Sequence, residues 1–275
     1  MKARASFTIN SSVLAKLDTV VDNITYRSKS EAVEDILRKF FERQNTAIIL
    51  CSGDFSFDSS GVYRPFLKIG NYTVIENIVN NLRVNGFRNI YVSGGTDLLK
   101  NIFKLMKNGE GYGVDIKYLD DNNTNGSAKA MERAKQFVGS TTLFVPGDCV
   151  MDIDLKDMLR FHIANNGVAS IAISSSEKSI PSSNDSILLK GNKVVCYGCN
   201  GQQGTHKLVA TSVLIVEKDV FKYIPPGDMK WEINSDLLPL LANEGELFGY
   251  VYHGAWVSIK TREELEKAKS MLPLK

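Results

Sequence analysis

Three groups of residues stand out by chemical type and spacing. Near the start, Arg4-Ala5-Ser6-Phe7-Thr8-Ile9 alternates polar and apolar side chains, so Arg4, Ser6 and Thr8 share one face of a strand and Ala5, Phe7 and Ile9 the other. Arginine, serine and threonine on a free strand face are hydrogen-bonding groups suited to base edges. Ser28-Lys29-Ser30-Glu31 has the spacing of a capping box, which opens a helix whose backbone amides and positive dipole end favour an anion such as phosphate. Cys196 and Cys199 form a C-x-x-C with His206 close by. Zinc needs a fourth ligand at ordered spacing, and Cys51 and Cys149 sit far away in apparent strand ends, so all four cysteines are read as reduced thiols and no metal is expected there.

The elements that position the first two groups are short. Asn10, Ser11 and Ser12 offer N-caps, and Val13, Leu14, Leu17, Val20 and Val21 recur at helical spacing up to a break near Asp22-Asn23. A second stripe, Ala32, Val33, Ile36, Leu37, Phe40 and Phe41, marks another amphipathic helix. One strand and two helices enclose too little core to stand alone, and a strand needs a partner. Pairing two copies through their strands solves both problems and creates a two-stranded ribbon of a size that enters the DNA major groove. From Arg4 to about Phe41 the segment resembles the ribbon-helix-helix repressors of the MetJ and Arc type, through the strand pattern, LAKLD and RSKSEAVEDILRKF. The resemblance implies that Arg4, Ser6 and Thr8 face bases, that Ser28, Lys29 and Ser30 meet a phosphate, and that the partners are double-stranded DNA and a second copy, as a homodimer or higher oligomer.

From Thr46 onward short apolar strands alternate with helical stretches, the pattern of a mostly parallel sheet wrapped by helices with ligands at the carboxyl ends of its strands. Ala47 to Leu272 resembles the sugar nucleotidyltransferases through AIILCSG, RPFLKIG, NGSAKAMERA, VPGDCVMDIDLKDMLRFH, SDLLPLLANEGELFGY and HGAWVSIKTREELEKA, in the family's order. That resemblance implies ligand-binding roles for Ser52, Gly53, Arg64, Gly126, Ser127 and Asp148, and a nucleotide or nucleotide-sugar ligand. Departures fall on the groups that phosphoryl transfer needs. The first loop reads Ser52-Gly53-Asp54-Phe55-Ser56-Phe57, with Phe57 at the family's arginine position, and it is about three residues shorter before Arg64, which stands at the lysine position. Asp148 matches the first metal aspartate, whereas Ser258 replaces the second; the sugar-side Glu-Lys pair corresponds to Cys199 and Asn200, and the Asn-Ala-Gly turn to Ala210-Thr211-Ser212. One carboxylate is a poor magnesium site, so no cofactor is expected unless the domain is active, when magnesium at Asp148 would be required.

The bulk properties fit this division. The 275 residues are 43% hydrophobic and 23% charged with a net charge of +2, which excludes a disordered chain and any polyanion-coating protein that relies on a global field. Apolar runs fall short of a membrane span, and MKARASFTIN lacks a signal-peptide core, so a cytoplasmic protein without membrane contact is expected. The expected organisation is α/β: a ribbon-helix-helix (β-α-α) domain over residues 1–45 and a Rossmann-like nucleotidyltransferase domain over 46–275. The expected function is a dimeric DNA-binding transcriptional regulator whose catalytically degenerate second domain serves ligand sensing or assembly. The alternative is an active sugar-phosphate nucleotidyltransferase with an N-terminal oligomerisation or DNA-tethering arm.

Overall fold

A computed structural model describes residues 6–22, 24–42, 45–58, 61–122, 124–137, 141–175, 187–198 and 208–271. The chain divides into two compact units, residues 1–44 and 45–275.

In the first unit, the carboxamide of Asn10 accepts from the Ser12 amide at 2.9 Å and starts helix α1, Ser11–Val20. Asp22 ends that run by accepting from the amides of Ile24 and Thr25 at 2.9 and 2.7 Å, which holds its carboxyl down to about 2. Ser28 then caps α2, Lys29–Glu42, through the Glu31 amide at 3.2 Å, while the Glu31 carboxylate accepts from the Arg27 amide at 2.8 Å. The reciprocal cap is therefore present but reaches one residue further back than a strict capping box. An ion pair between Lys29 and Asp18 and a bond from the Tyr26 hydroxyl to Asp35 at 2.5 Å tie the two helices and their turn together. The expected strand over residues 4–9 is a correction at its described residues: 6–9 carry no strand pairing, because one copy offers them no neighbouring strand. Arg4 and Ala5 lie outside the described residues.

The second unit begins with β1, Asn45–Cys51, which reads apolar from Ala47 on because both of its faces are covered there. The chain continues through β2 (Lys68–Ile69), β3 (Tyr72–Thr73), α3 (Val74–Val84), β4 (Phe87–Gly94), α4 (Thr96–Met106), β5 (Asp115–Asp120), α5 (Ser127–Arg133), β6 (Thr141–Pro146) and β7 (Cys149–Met151). It closes with α6 (Leu155–Asn165), β8 (Ala169–Ser174), β9 (Ile187–Lys190), β10 (Lys193–Tyr197), β11 (Val209–Glu217), α7 (Leu238–Asn243), β12 (Leu247–Tyr252), β13 (Trp256–Ser258) and α8 (Arg262–Met271). Among the described residues nine strands form one mixed sheet in the order β5-β4-β1-β6-β11-β8-β12-β10-β9. The β5-β4-β1-β6 side is wholly parallel, β12 runs parallel to β8, and β11 lies antiparallel between β6 and β8.

Strand alternation sends successive residues to opposite cores. Ala47, Ile49 and Cys51 pack with Val79, Leu82, Ile102 and Met158 on one face, under α3, α4 and α6. Ile48 packs with Met131, Phe144, Leu238 and Leu241 on the other, under α5 and α7. A sheet clamped on both faces holds its strand ends rigidly, which is what a site at those ends needs. No helix among the described residues is long and apolar enough to cross a membrane. Cys51 and Cys149 are free and buried, but Cys196 is disulfide-bonded, which corrects the expectation that every cysteine is reduced. Cys199 and His206 lie outside the described residues.

Candidate functional site

At the carboxyl ends of β1 and β6 the chain opens into a cavity of about 390 Å³, lined on one side by Ser52, Phe55, Arg64, Asp148, Ser258 and Lys260. Ser127, Ser212, Glu232, Ile233, Asn234 and Ser235 line the other side. The volume is in the range of small-ligand sites, and the position is where open α/β sheets bind ligands.

Arg64 is set in place by its own loop. The strand-like turn between Phe55 and Arg64 closes through Phe57 N to Val62 O at 2.7 Å and Arg64 N to Phe55 O at 2.8 Å, and Arg64 itself opens a 3-10 turn that Pro65 continues. The guanidinium donates from Nη1 to Asp148 Oδ2 at 2.6 Å and from Nη2 to the Asp54 carbonyl, and it lies 4.4 Å from the Phe55 ring centre. Asp54 turns its own carboxylate to the Ser56 amide at 2.8 Å. Two residues of the departing first loop therefore hold the cation: Asp54 by its backbone, Phe55 by its ring face.

Asp148 follows β6 after Gly147, whose amide donates to the Leu50 carbonyl at 2.8 Å. A Cβ on Gly147 would sit 2.1 Å from the Cys51 sulfur, so only glycine lets this loop pass over β1. Burial pushes the Asp148 carboxyl above the usual carboxylate range, against the opposing pull of Arg64 and Lys260. Ser258, at the end of β13, donates to Asp148 Oδ1 at 3.5 Å, the limit of a hydrogen bond.

The other wall is built around Gly126 and Ser127. Gly126 has φ +106° and brings its backbone against Trp231, where a Cβ would fall 2.4 Å from the Trp231 carbonyl oxygen. Ser127 then donates from its amide and hydroxyl to the Glu232 carboxylate at 2.8 and 2.7 Å, while its hydroxyl accepts from the Ile233 amide at 2.9 Å. Burial raises the Glu232 carboxyl, but the two Ser127 bonds and Lys230 hold it below its ordinary value. A π-helical turn over Ile233–Leu237 carries Asn234 and Ser235 to the cavity, a local departure from α-helix common at functional sites. Behind Ser52, Asp121 accepts from the Ser52 hydroxyl and from Ser93 Oγ at 3.0 Å, and burial raises its carboxyl.

Of the ligand candidates read from sequence, Ser52, Arg64, Ser127 and Asp148 line one cavity. Gly126 sits beside it as the hinge of the Ser127 wall, and Gly53 is not among the lining residues. Sequence reading passed over Lys260, Glu232 and Asp121. Lys260 had a signal, since it follows Ser258 by two residues in an extended segment and so shares its face; Glu232 had none. Ser28 is spent on its helix cap and Lys29 on Asp18, while Ser6, Thr8 and Ser30 are exposed.

Magnesium asks for several oxygen ligands at fixed octahedral positions. Asp148 supplies one carboxylate that already bonds a guanidinium, its neighbour is a serine, and no three His, Cys, Asp or Glu side chains converge among the described residues. The protein side thus offers a divalent cation one carboxylate, already engaged by Arg64, and no second one beside it.

Residues 59–183 match the nucleotidyl transferase family model. The chain is 24% identical over 197 residues to the UTP-glucose-1-phosphate uridylyltransferase of Synechocystis, a match spanning 66% of this chain and 50% of that protein. It is 23% identical over 214 residues to the low-salt glycan biosynthesis nucleotidyltransferase Agl11 of Haloferax volcanii, across 76% of this chain and 60% of the relative. The chain thus spans only 50% and 60% of the length of these two curated relatives. A candidate glucose-1-phosphate thymidylyltransferase from Bacillus anthracis, solved in complex with a sucrose, superposes with a TM-score of 0.71 at 19% identity, covering 82% of this chain and 94% of that one. HddC from Yersinia pseudotuberculosis, also solved with GMP-PN, superposes at 0.66 and 17% identity over 82% of this chain and 98% of its own. Residues 45–275 have the α/β nucleotidyltransferase fold.

These matches overturn the expectation of a transcriptional regulator carrying a silenced domain. The family model and both curated relatives name nucleotidyl transfer, and none of these proteins is named as a DNA-binding regulator. Within the departing loop, Asp54 and Phe55 hold Arg64, the one by its carbonyl and the other by its ring.

Proposed function

We propose that the chain is a sugar-phosphate nucleotidyltransferase. A phosphate oxygen of the sugar phosphate attacks the α-phosphorus of a nucleoside triphosphate, the bond from that phosphorus to the α,β-bridging oxygen breaks, and pyrophosphate leaves with the bond's electron pair. Such a transfer is catalysed chiefly by positioning and by charge held against the phosphoryl oxygens. Arg64 and Lys260 line one cavity and can supply both. Asp148 acts through Arg64 as a positioning residue.

The observation that carries this reading is the fixed guanidinium of Arg64 at the strand ends, held by Asp148, the Asp54 carbonyl and the Phe55 ring. A preset cation needs no reorganisation as charge develops. Pyrophosphate release should be measured with uridine, thymidine and guanosine triphosphates against sugar 1-phosphates. Release that requires both substrates is expected, with loss in Arg64→Gln and partial rescue in Arg64→Lys; no release with any pair would sink the reading.

The first unit serves self-association, with residues 4–9 pairing between two copies in a ribbon-helix-helix arrangement. Phe7, Val13 and Ile36 are 69%, 55% and 48% exposed within one copy, and so small a unit encloses too little core alone. Sedimentation should show a dimer or larger species that Phe7→Lys converts to monomer; a monomer before substitution would count against the arm.

A further inference from the structure

We infer that this cavity takes its triphosphate without a divalent cation, with Arg64 and Lys260 supplying the charge a metal would otherwise carry. The inference rests on the nucleotidyltransferase reading and specifies how that site meets its substrate. Four ionisable side chains line the cavity: Arg64, Asp148, Glu232 and Lys260.

Both carboxylates are already engaged. Asp148 Oδ2 bonds Arg64 in a pair whose side chains are only 11% and 6% exposed, and Glu232 Oε2 accepts from the Ser127 amide and hydroxyl while Oε1 lies 3.5 Å from Lys230. A cation arriving at Asp148 would have to displace a desolvated guanidinium that is restrained on two further sides by the Asp54 carbonyl and the Phe55 ring. Its next neighbour would be the neutral hydroxyl of Ser258.

What remains uncommitted is positive. Lys260 lines the cavity and has no ion-pair partner among the described residues, and Arg64 Nε is a buried donor without an acceptor. A planar guanidinium whose Nη1 and Nη2 each keep a second N–H is matched to phosphate oxygens, and an ammonium nearby adds a mobile point charge. With Asp148 paired to Arg64 and Glu232 to Lys230, Lys260 is the uncompensated charge of the lining, and the cavity presents it together with the remaining N–H groups of Arg64 to an incoming ligand.

The test is calorimetric titration of the full chain with uridine, thymidine and guanosine triphosphates, in EDTA and then in excess magnesium chloride. At least one triphosphate should bind in EDTA, with a Kd that magnesium changes by less than about twofold, and Lys260→Gln should weaken it about tenfold in both conditions. The thermal midpoint of the ligand-free protein should not move on adding magnesium. Binding that appears only with magnesium, or tightens more than about tenfold with it, would overturn the inference and leave the transferase reading standing. Binding indifferent to Lys260→Gln would overturn it too, and no triphosphate binding in either condition would remove both.

Discussion

The two units of this chain solve the same problem, covering apolar side chains, in opposite ways. In residues 45–275 the sheet buries Ile48, Ile49, Phe144 and Ile171 completely, with helices on both faces. In residues 1–44 no residue of α1 is buried, and Val13, Leu14, Val20, Ile36 and Leu37 stay exposed although both helices are formed and capped. Capping and amphipathic spacing make a helix; they do not make a core. Only the larger unit closes its own core.

The largest expected effect strikes the closed core. Phe144→Ala should cost the cooperative unfolding of the sheet about 3–5 kcal/mol in urea, because it leaves a cavity in a clamped strand. A cost under about 1 kcal/mol would mean the core is looser than the contrast requires. Gly126→Ala comes next. Its positive φ and the Trp231 carbonyl leave no room for a Cβ, so a loss of about 1–3 kcal/mol is expected, together with pyrophosphate release. Full activity in that variant would separate the Ser127 wall from the reaction.

His162 sharpens the comparison through pH. Its ring lies between Ser170 Oγ at 2.8 Å and Glu217 at 3.2 Å, and burial lowers its pKa despite the upward pull of Glu217. A depressed folded-state value means the folded protein resists protonation. The stability it contributes is therefore present above the ordinary histidine value of about 6.5 and is lost as pH falls below it toward the lowered one. Urea midpoints of the sheet unit should drop between about pH 7 and pH 5, and His162→Gln should flatten that drop. Equal acid sensitivity in both proteins would locate the effect elsewhere.

Asp121 has the opposite sign and a smaller size. Burial raises its carboxyl, so the folded state favours the protonated form; that stability is complete below the ordinary aspartate value and is lost as pH rises through the raised one. Asp121→Asn should then stabilise the fold slightly at neutral pH, by less than about 1 kcal/mol and seen as a higher thermal midpoint, with the gain vanishing in acid. A lower midpoint at neutral pH would show that the Ser52 and Ser93 bonds need the ionised form. The smallest effect belongs to the arm, where Val13→Lys should leave the midpoint of the sheet unit unchanged while reducing self-association. A shifted midpoint would show that the larger unit depends on it.

How far the site could be read in advance varied with sequence distance. Caps and turns were legible because they are local: Asn10 before α1, Ser28 with Glu31 before α2, Gly126 ahead of α5. The strand and helix alternation after Thr46 was legible for the same reason, down to the apolar β1. The missing pairing at residues 6–9 was not, since a strand's partner is outside its own sequence. The clamp that Asp54 and Phe55 form on Arg64 was not legible either, because residue type does not say which way a loop turns its side chains.

Residue order alone therefore determined where helices begin, where glycine must sit, and which charges the chain owns. The tertiary structure decided what those charges do. Arg64 meets Asp148 across 84 residues and Ser127 meets Glu232 across 105, because the segments after β1 and β6 and the one ahead of α7 meet at the carboxyl ends of two neighbouring interior strands. Periodicity cannot encode such meetings, which arise from strand order and from the burial that holds each pair out of water.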